Sequence, residues 1–233
     1  MKIHIGTSGF AYKEWQGSFY PEKIAPGDML RSYARRLGAV EINNTFYRMP
    51  TTRLLEGWAA QVPKGFRFAF KAPQVITHFK RLRHVGEEVD RLFGTLSTLG
   101  PRLGPVLFQL PANFPADRPA LEDFLARIPG APACAFEFRH PSWLEDGIPE
   151  LLRSQGCALC VADTDEHPAE GILATAPWGY LRLRRADYTD AELSQWAGRI
   201  RAQKWKSAFV FIKHEDGGRG PQIALRLGEL AGG

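Results

Sequence analysis

Cysteine is scarce in this chain: three residues, Cys134, Cys157 and Cys160, in 233. Three thiols cannot build a paired disulfide framework, which excludes a disulfide-stapled module and suits a reducing compartment. Cys157 and Cys160 have CxxC spacing. They lie inside an apolar strand-like run, however, where residues three apart point to opposite faces, so they read as buried strand thiols. Also missing is any apolar run near the roughly 18 residues that a membrane span needs. The N-terminus, MKIHIGTSG, enters a strand-like run directly and lacks the long apolar stretch of a signal peptide, so a cytoplasmic location with no membrane partner is expected. No Ser/Gly/Pro linker or shift of composition divides the chain, and one domain over residues 1–233 is the expectation. Nor does one charge dominate: 30 basic residues against 25 acidic ones leave +5. That tilts towards anionic partners without the charge density of a dedicated nucleic-acid binder.

What the chain does have is eight hydrophobic strand-like runs, most of them ending on a polar residue. They are IHIG (3–6), AVEIN (39–43), FRFAFK (66–71), PVLFQL (105–110), ACAFEF (133–138), CALCVAD (157–163), YLRLR (180–184) and AFVFIK (208–213). Helix-like stretches alternate with them: GDMLRSYARRL, TTRLLEGWAAQV, EEVDRLFGTLSTL, RPALEDFLARI, EDGIPELLRSQ, TDAELSQWAGRIRAQ and PQIALRLGEL, the last with its Pro at the first helical position. Trp58 and Trp196 fall on apolar helix faces and read as core. Only DTDEHPAEGILATAPW, after the sixth run, lacks a helix pattern, so that crossover is expected to be irregular. This count and rhythm predict an α/β fold, a single (β/α)8 barrel with a closed parallel sheet and its chemistry where the strands end.

Strand parity sorts the polar residues, because side chains alternate between the barrel interior and the helix layer. In FRFAFK the three Phe form one column, which leaves Arg67, Ala69 and Lys71 pointing inward; in ACAFEFR the inward column is Ala135, Glu137 and Arg139. The same reasoning adds His4, Glu41, Asn43, Gln109, Asp163, Arg182, Arg184 and Lys213. Unpaired buried charge is expensive, so such a ring either neutralises itself as internal ion pairs or does chemistry. At the strand ends three carboxylates, Glu41, Glu137 and Asp163, face at least four cations, Lys71, Arg139, Arg182 and Lys213, and the surplus favours an anionic ligand.

Three further features bear on the ligand. The Gly-rich loop HEDGGRGP (214–221) runs into a helix after the eighth run, where many barrels bind phosphate, and Arg219 adds charge; a plain turn is the other reading. Phe10, Tyr12, Trp15, Phe46, Tyr47 and Trp143 form an aromatic rim, which suits a base or sugar or else a hydrophobic plug. No cofactor is implied. A divalent metal on Glu41, Glu137, Asp163 and His214 is conceivable, but there is no HxxE-type or repeated-His spacing, and neighbouring cations would repel it.

The segments IGTSGFAYKEWQGSFYP (5–21), VEINNTFYRMP (40–50), FRFAFKAP (66–73), LGPVLFQLP (103–111) and FEFRHPSW (136–143) resemble the YecE-like family, domain of unknown function 72, over essentially the whole chain. The resemblance implies a (β/α)8-type barrel and no particular activity. Positions matching its motifs are Thr7, Ser8, Gly9, Tyr12 and Trp15; Glu41, Asn43, Thr45, Phe46 and Tyr47; Lys71 and Pro73; Gln109 and Pro111; Glu137, Arg139, His140, Pro141 and Trp143; and Asp163 and Arg182. The chain departs from the commoner pattern at Arg184, which stands where a histidine followed by glycine is usual. It departs again at KHED (213–216), in place of an asparagine-rich stretch, a form resembling a subgroup.

The expected function is an enzyme acting on a phosphate-bearing small molecule or nucleic acid, by hydrolysis of a phosphoester, a lyase reaction or an isomerisation. Glu41, Lys71, Glu137 and Asp163 are the candidate catalytic residues. Within this set Lys71, with Arg182 and Lys213, neutralises the anion, and Glu137 or Glu41 is the general acid or base. Tyr12, Asn43, Tyr47, Gln109, Arg139, His140, Trp143, Arg182 and Lys213 are the candidate substrate contacts. The alternative is a non-catalytic module for nucleic acid or an anionic metabolite, with RSYARR (31–36) and HFKRLRH (78–84) as its basic stripes.

Overall fold

The computed structural model describes residues 1–128, 132–145, 147–213 and 216–232. Each of the eight apolar runs forms a strand: β1 Lys2–Ser8, β2 Ala39–Ile42, β3 Arg67–Lys71, β4 Leu103–Gln109, β5 Cys134–Glu137, β6 Ala158–Asp163, β7 Trp178–Leu183 and β8 Ser207–Ile212. They close in chain order, each parallel to its neighbours, with β8 returning to β1. The chain is a (β/α)8 barrel, and all its strand C-termini open on one face.

Among the described residues seven α-helices surround the sheet: α1 Met29–Tyr33, α2 Thr52–Gln61, α3 Gly86–Leu96, α4 Arg118–Arg127, α5 Ile148–Ser154, α6 Asp190–Arg201 and α7 Arg219–Ala231. Side chains start several of them by accepting N–H groups that have no intrahelical partner. Thr51 accepts from the Leu54 N–H and Asp117 from the Ala120 N–H, while Thr189 and Glu192 form a reciprocal capping box. Two expectations need correction. The first helix is a single short turn of α-helix behind a 3-10 turn, Pro26–Asp28, and α7 starts at Arg219, two residues before Pro221. As expected, residues 164–177 between β6 and β7 hold no helix. There the Thr175 hydroxyl accepts from the Leu159 N–H at 2.7 Å and donates to the Cys157 carbonyl at 2.8 Å, so one side chain satisfies backbone groups flanking this crossover.

Two hydrophobic layers follow from strand parity. Phe66, Phe68, Phe70 and Phe136 are buried between sheet and helices, where Trp58 stacks on Phe68 at 5.9 Å and Trp196 is also buried. The barrel interior is filled by Ala39, Ala69, Leu107, Ala135, Ala158, Cys160, Tyr180, Phe209 and Phe211. Cys157 and Cys160 accordingly lie in different layers, and all three cysteines are buried and free. Among the described residues no helix is long and apolar enough to cross a membrane.

Closure brings β1 against β2 with no room to spare. A Cβ at Gly6 would sit 1.9 Å from the Ala39 carbonyl oxygen, and the Tyr33 hydroxyl fills the space beside it, accepting from the Thr7 N–H and donating to the Ala39 carbonyl. Backbone cannot yield as a flexible side chain can, so Gly6→Ala should destabilise the barrel by at least ~1–3 kcal/mol, read as a lower urea midpoint with an unchanged slope.

Candidate active site

The inward column of each strand turns polar at its C-terminal end. Ser8 from β1, Glu41 from β2, Lys71 from β3, Gln109 from β4, Glu137 from β5 and Arg182 from β7 converge there, above the apolar interior. The opposite end of the barrel is different in kind: a recess of about 760 Å³ between Phe93, Leu103, Pro132, Trp178 and Phe209 carries a single charge, Lys206.

Arg182 organises the mouth. It is buried, and its two terminal nitrogens reach different carboxylates: Nη1 donates to Glu137 Oε2 at 2.7 Å and Nη2 to Glu41 Oε1 at 2.9 Å. The other acceptor positions of both glutamates are also taken. Glu41 Oε1 accepts from the Ser8 hydroxyl at 2.8 Å and Asn43 Nδ2 at 3.0 Å, and Oε2 from the Tyr180 hydroxyl at 2.7 Å. Glu137 Oε1 accepts from Gln109 Nε2 and from Arg139 Nε at 3.2 Å. Burial alone would raise both carboxyl pKa values, but Arg182 and these donors outweigh it. Glu41 ends below its ordinary value, and Glu137, with Arg139 also beside it, falls to about 2.

Lys71 is treated differently by its surroundings. Its ammonium lies 4.0 Å over the Phe46 ring, which His78 meets edge-on from another side. Among the described residues it makes no ion pair or hydrogen bond, because Glu41 and Glu137 are committed to Arg182, Arg139 and the neutral donors. Burial first, and then the cations Arg182 and Arg139, bring its pKa down to about 8. His78, also pressed by burial, Lys71 and Arg139, falls below its usual value. Arg184 adds a further cation, lowered by burial and then by Arg182. Arg184 Nη1 and Asn43 Oδ1 are buried with no hydrogen-bond partner among the described residues.

The structure brings most of the expected residues to this face and removes two. Asp163 was expected to point inward, but β6 has the opposite parity. Its register partner Leu183 belongs to the helix layer, and its carboxylate accepts from the Ala169 N–H at 2.8 Å and the Tyr188 hydroxyl at 2.7 Å. It fastens the irregular crossover and does not join the site. Trp143 is fully buried, stacked on Phe138 at 4.8 Å with its indole N–H on the Phe114 carbonyl, so it is core and not a substrate contact. Trp15 is also buried, whereas Tyr47 is 76% exposed at the rim. Tyr12 lies across Gly9 and donates to the Ser8 carbonyl at 2.8 Å. His140 engages Ser142 through Nδ1 at the start of a 3-10 turn, and Lys213 continues the inward column of β8, half-buried.

Other expectations change with these contacts. The donor set does not fit a divalent metal: the two glutamates already accept from the Arg182 guanidinium and five further side-chain donors, Asp163 faces away, and His214 lies outside the described residues. Of the Gly-rich loop, His214 and Glu215 lie outside the described residues, while Arg219 is paired with Asp187 at 2.5 Å. Two residues of the site were missed by sequence reasoning. Tyr180 shares the column of Arg182 and was legible by parity. His78 arrives through a π-helical turn, Val75–Phe79, that no pattern announces.

The family model described as "Protein of unknown function DUF72" matches residues 4–233. UPF0759 protein YecE of Escherichia coli (strain K12) is 38% identical over 156 residues, 66% of this chain and 54% of the relative, so the match spans about half the length of that protein. The crystal structure of a DUF72 family protein from Thermotoga maritima MSB8 superposes with TM-score 0.87 and 26% identity over 100% of both chains. One from Enterococcus faecalis V583, at TM-score 0.80 and 18% identity over 99% of this chain and 95% of the other, bears on the fold alone.

Two predictions follow from the bridge. Arg182→Met leaves two buried carboxylates without their counter-ion and should lower the stability to urea by ~3–5 kcal/mol, whereas an exposed Arg such as Arg153 should be nearly silent. The depressed Glu137 pKa contributes stability that is complete above the ordinary carboxylate value of 4.5 and is lost as pH falls through about 2. Acid titration of Glu137→Gln should therefore show a shallower loss of stability in that window than the parent.

Proposed function

This chain belongs to the DUF72 family, and we propose that its barrel mouth is the active site of an enzyme acting on an anionic, phosphate-bearing small molecule or nucleic acid. The observation that carries the reading is the Lys71 ammonium, which among the described residues rests on the Phe46 ring with no ion pair or hydrogen bond, in a mouth whose carboxylates are already neutralised and which also holds a buried Arg184 Nη1 with no hydrogen-bond partner among them. Lys71, Arg139, Arg182 and Arg184 surround two carboxylates, and the excess positive charge, part of it buried, attracts an anion and stabilises negative charge that develops during reaction.

The proton-transfer role passes from the glutamates to Lys71. A carboxylate held at about 2 and saturated with donors is a poor base at neutral pH, while an amine near 8 gives and takes protons close to working conditions. Glu41 and Glu137 are positioning residues that hold Arg182, Asn43, Gln109 and Arg139 in place. The free, buried thiols support a reducing, cytoplasmic setting.

A second reading, a binding module for single-stranded nucleic acid, is favoured by one observation. Tyr47 and Phe79 are 76% and 72% exposed on the two loops that frame Lys71, and Lys80, Arg81 and Arg83 follow Phe79 directly. Exposed rings beside cations stack bases and track a phosphate backbone. Salt-sensitive oligonucleotide binding without turnover, lost in Phe79→Ala, would favour it.

Thermal shift with phosphate, sugar phosphates, nucleotides and short oligonucleotides tests the main reading. At a hundred times the dissociation constant a ligand should stabilise the protein by about 2.7 kcal/mol, and Lys71→Ala should lose most of that. Anion affinity should fall as pH rises through about 8, where Lys71 loses its charge, and Lys71→Arg should remove that break. A folded protein that no anion stabilises would refute the proposal.

A further inference from the structure

We propose that Lys71 is a nucleophile whose amine condenses with the carbonyl carbon of a small anionic aldehyde or ketone, a sugar phosphate or a keto acid, to form an imine. The inference rests on the reading of the mouth as an anion site and names its substrate class.

The placement of Lys71 is hard to explain as structural. A lysine that stabilises a barrel is paired with a carboxylate, yet here both nearby carboxylates are bound to Arg182, Glu137 also to Arg139, and otherwise to neutral donors, and the ammonium rests on the face of Phe46. The neighbours that remain are cations, Arg182 and Arg139, which disfavour a third positive charge. A site that needs only to hold an anion is better served by a group that stays protonated. Burial and like-charge crowding are the two means by which a lysine amine becomes nucleophilic at ordinary pH, and both act here, leaving its pKa at about 8.

The polar atoms without partners supply the other half of the argument. Arg184 Nη1 is a buried donor suited to a phosphate or carboxylate oxygen, and Asn43 Oδ1 is a buried acceptor suited to a hydroxyl group. An anionic group, a hydroxyl and an electrophilic carbon reached by an amine together describe a hydroxycarbonyl compound bearing a negative charge.

The step balances without a co-reactant. Lys71 Nζ loses one proton to solvent, and its lone pair forms the C–N bond while the carbonyl π-electrons move to oxygen, which takes up a proton. The nitrogen then gives up a second proton and the hydroxyl takes one up, so that the carbinolamine expels its oxygen as water while the nitrogen lone pair forms the C=N bond; a protonated imine is left, and hydrolysis reverses the sequence. The iminium is an electron sink for the bond next to it, which gives the lyase and isomerase chemistries expected from the sequence a common first intermediate.

Borohydride trapping tests this on the native protein. Glyoxylate, the smallest anionic aldehyde, dihydroxyacetone phosphate and glyceraldehyde 3-phosphate would each be added with borohydride, and the peptides mapped by mass. The expected result is a gain equal to the carbonyl compound less one oxygen atom, concentrated on Lys71. Its yield should be at least about tenfold that on the exposed Lys64 or Lys204, since each unit of pKa lowering raises the neutral fraction roughly tenfold at pH 7. The yield should rise with pH through about 8 and be suppressed by inorganic phosphate. Lys71→Arg, with an unaltered melting profile, should lose that label and retain phosphate binding. Label spread over lysines according to exposure, with Lys71 no different from Lys64, would overturn the imine. If phosphate still stabilises the protein in that case, the anion site stands without it; if phosphate does nothing, both readings fall.

Discussion

A single guanidinium shared by two buried carboxylates is the constraint on which the mouth of this barrel depends. Arg182 on β7 spans the interior to Glu41 on β2 and Glu137 on β5, so three strands far apart in sequence are bound to one planar group. Burying three charges is costly, and the arrangement persists because almost every lone pair is answered: Ser8, Asn43 and Tyr180 serve one glutamate, Gln109 and Arg139 the other. Such a network fixes geometry more than it adds stability, and geometry is what a reacting site requires.

The completeness of that network is also what frees Lys71. With the carboxylates spoken for, the Lys71 ammonium has no ion pair among the described residues, and its positive charge is left uncompensated. The charged ring therefore divides into an inner part that is internally neutralised and an outer part that is not. Internal ion pairing accounts for the inner part alone, and the outer part is where the proposed ligand would act.

Much of this was legible in the residues. Eight runs at regular spacing gave the barrel, and the alternation in FRFAFK and ACAFEF separated Phe68 and Phe136 from Lys71 and Glu137 because one column was all aromatic. Parity failed at CALCVAD, where both faces of a parallel strand are buried and both columns are apolar; nothing in the alternation said which face Asp163 took. Trp143 misled for a different reason. It lies in a loop, and whether a loop aromatic turns outwards or into the core depends on a partner, here the Phe114 carbonyl, that sequence spacing does not reveal. The saturation of the glutamates could not be read at all, since it depends on distances of a few tenths of an ångström between five strands.

The missing crossover helix has a consequence for how the barrel comes apart. Elsewhere the sheet is sheathed by a regular element whose backbone bonds are internal, but between β6 and β7 the cover is a strap tied by Thr175 and Asp163. An opening at that flank would need no helix to unwind. Cys134, Cys157 and Cys160 all lie on or beside β5 and β6, with burial holding Cys157 at about 11 and the other two higher still. The protein thus carries three silent thiols close to that strap, and the rate at which they react would record how often this part of the barrel opens.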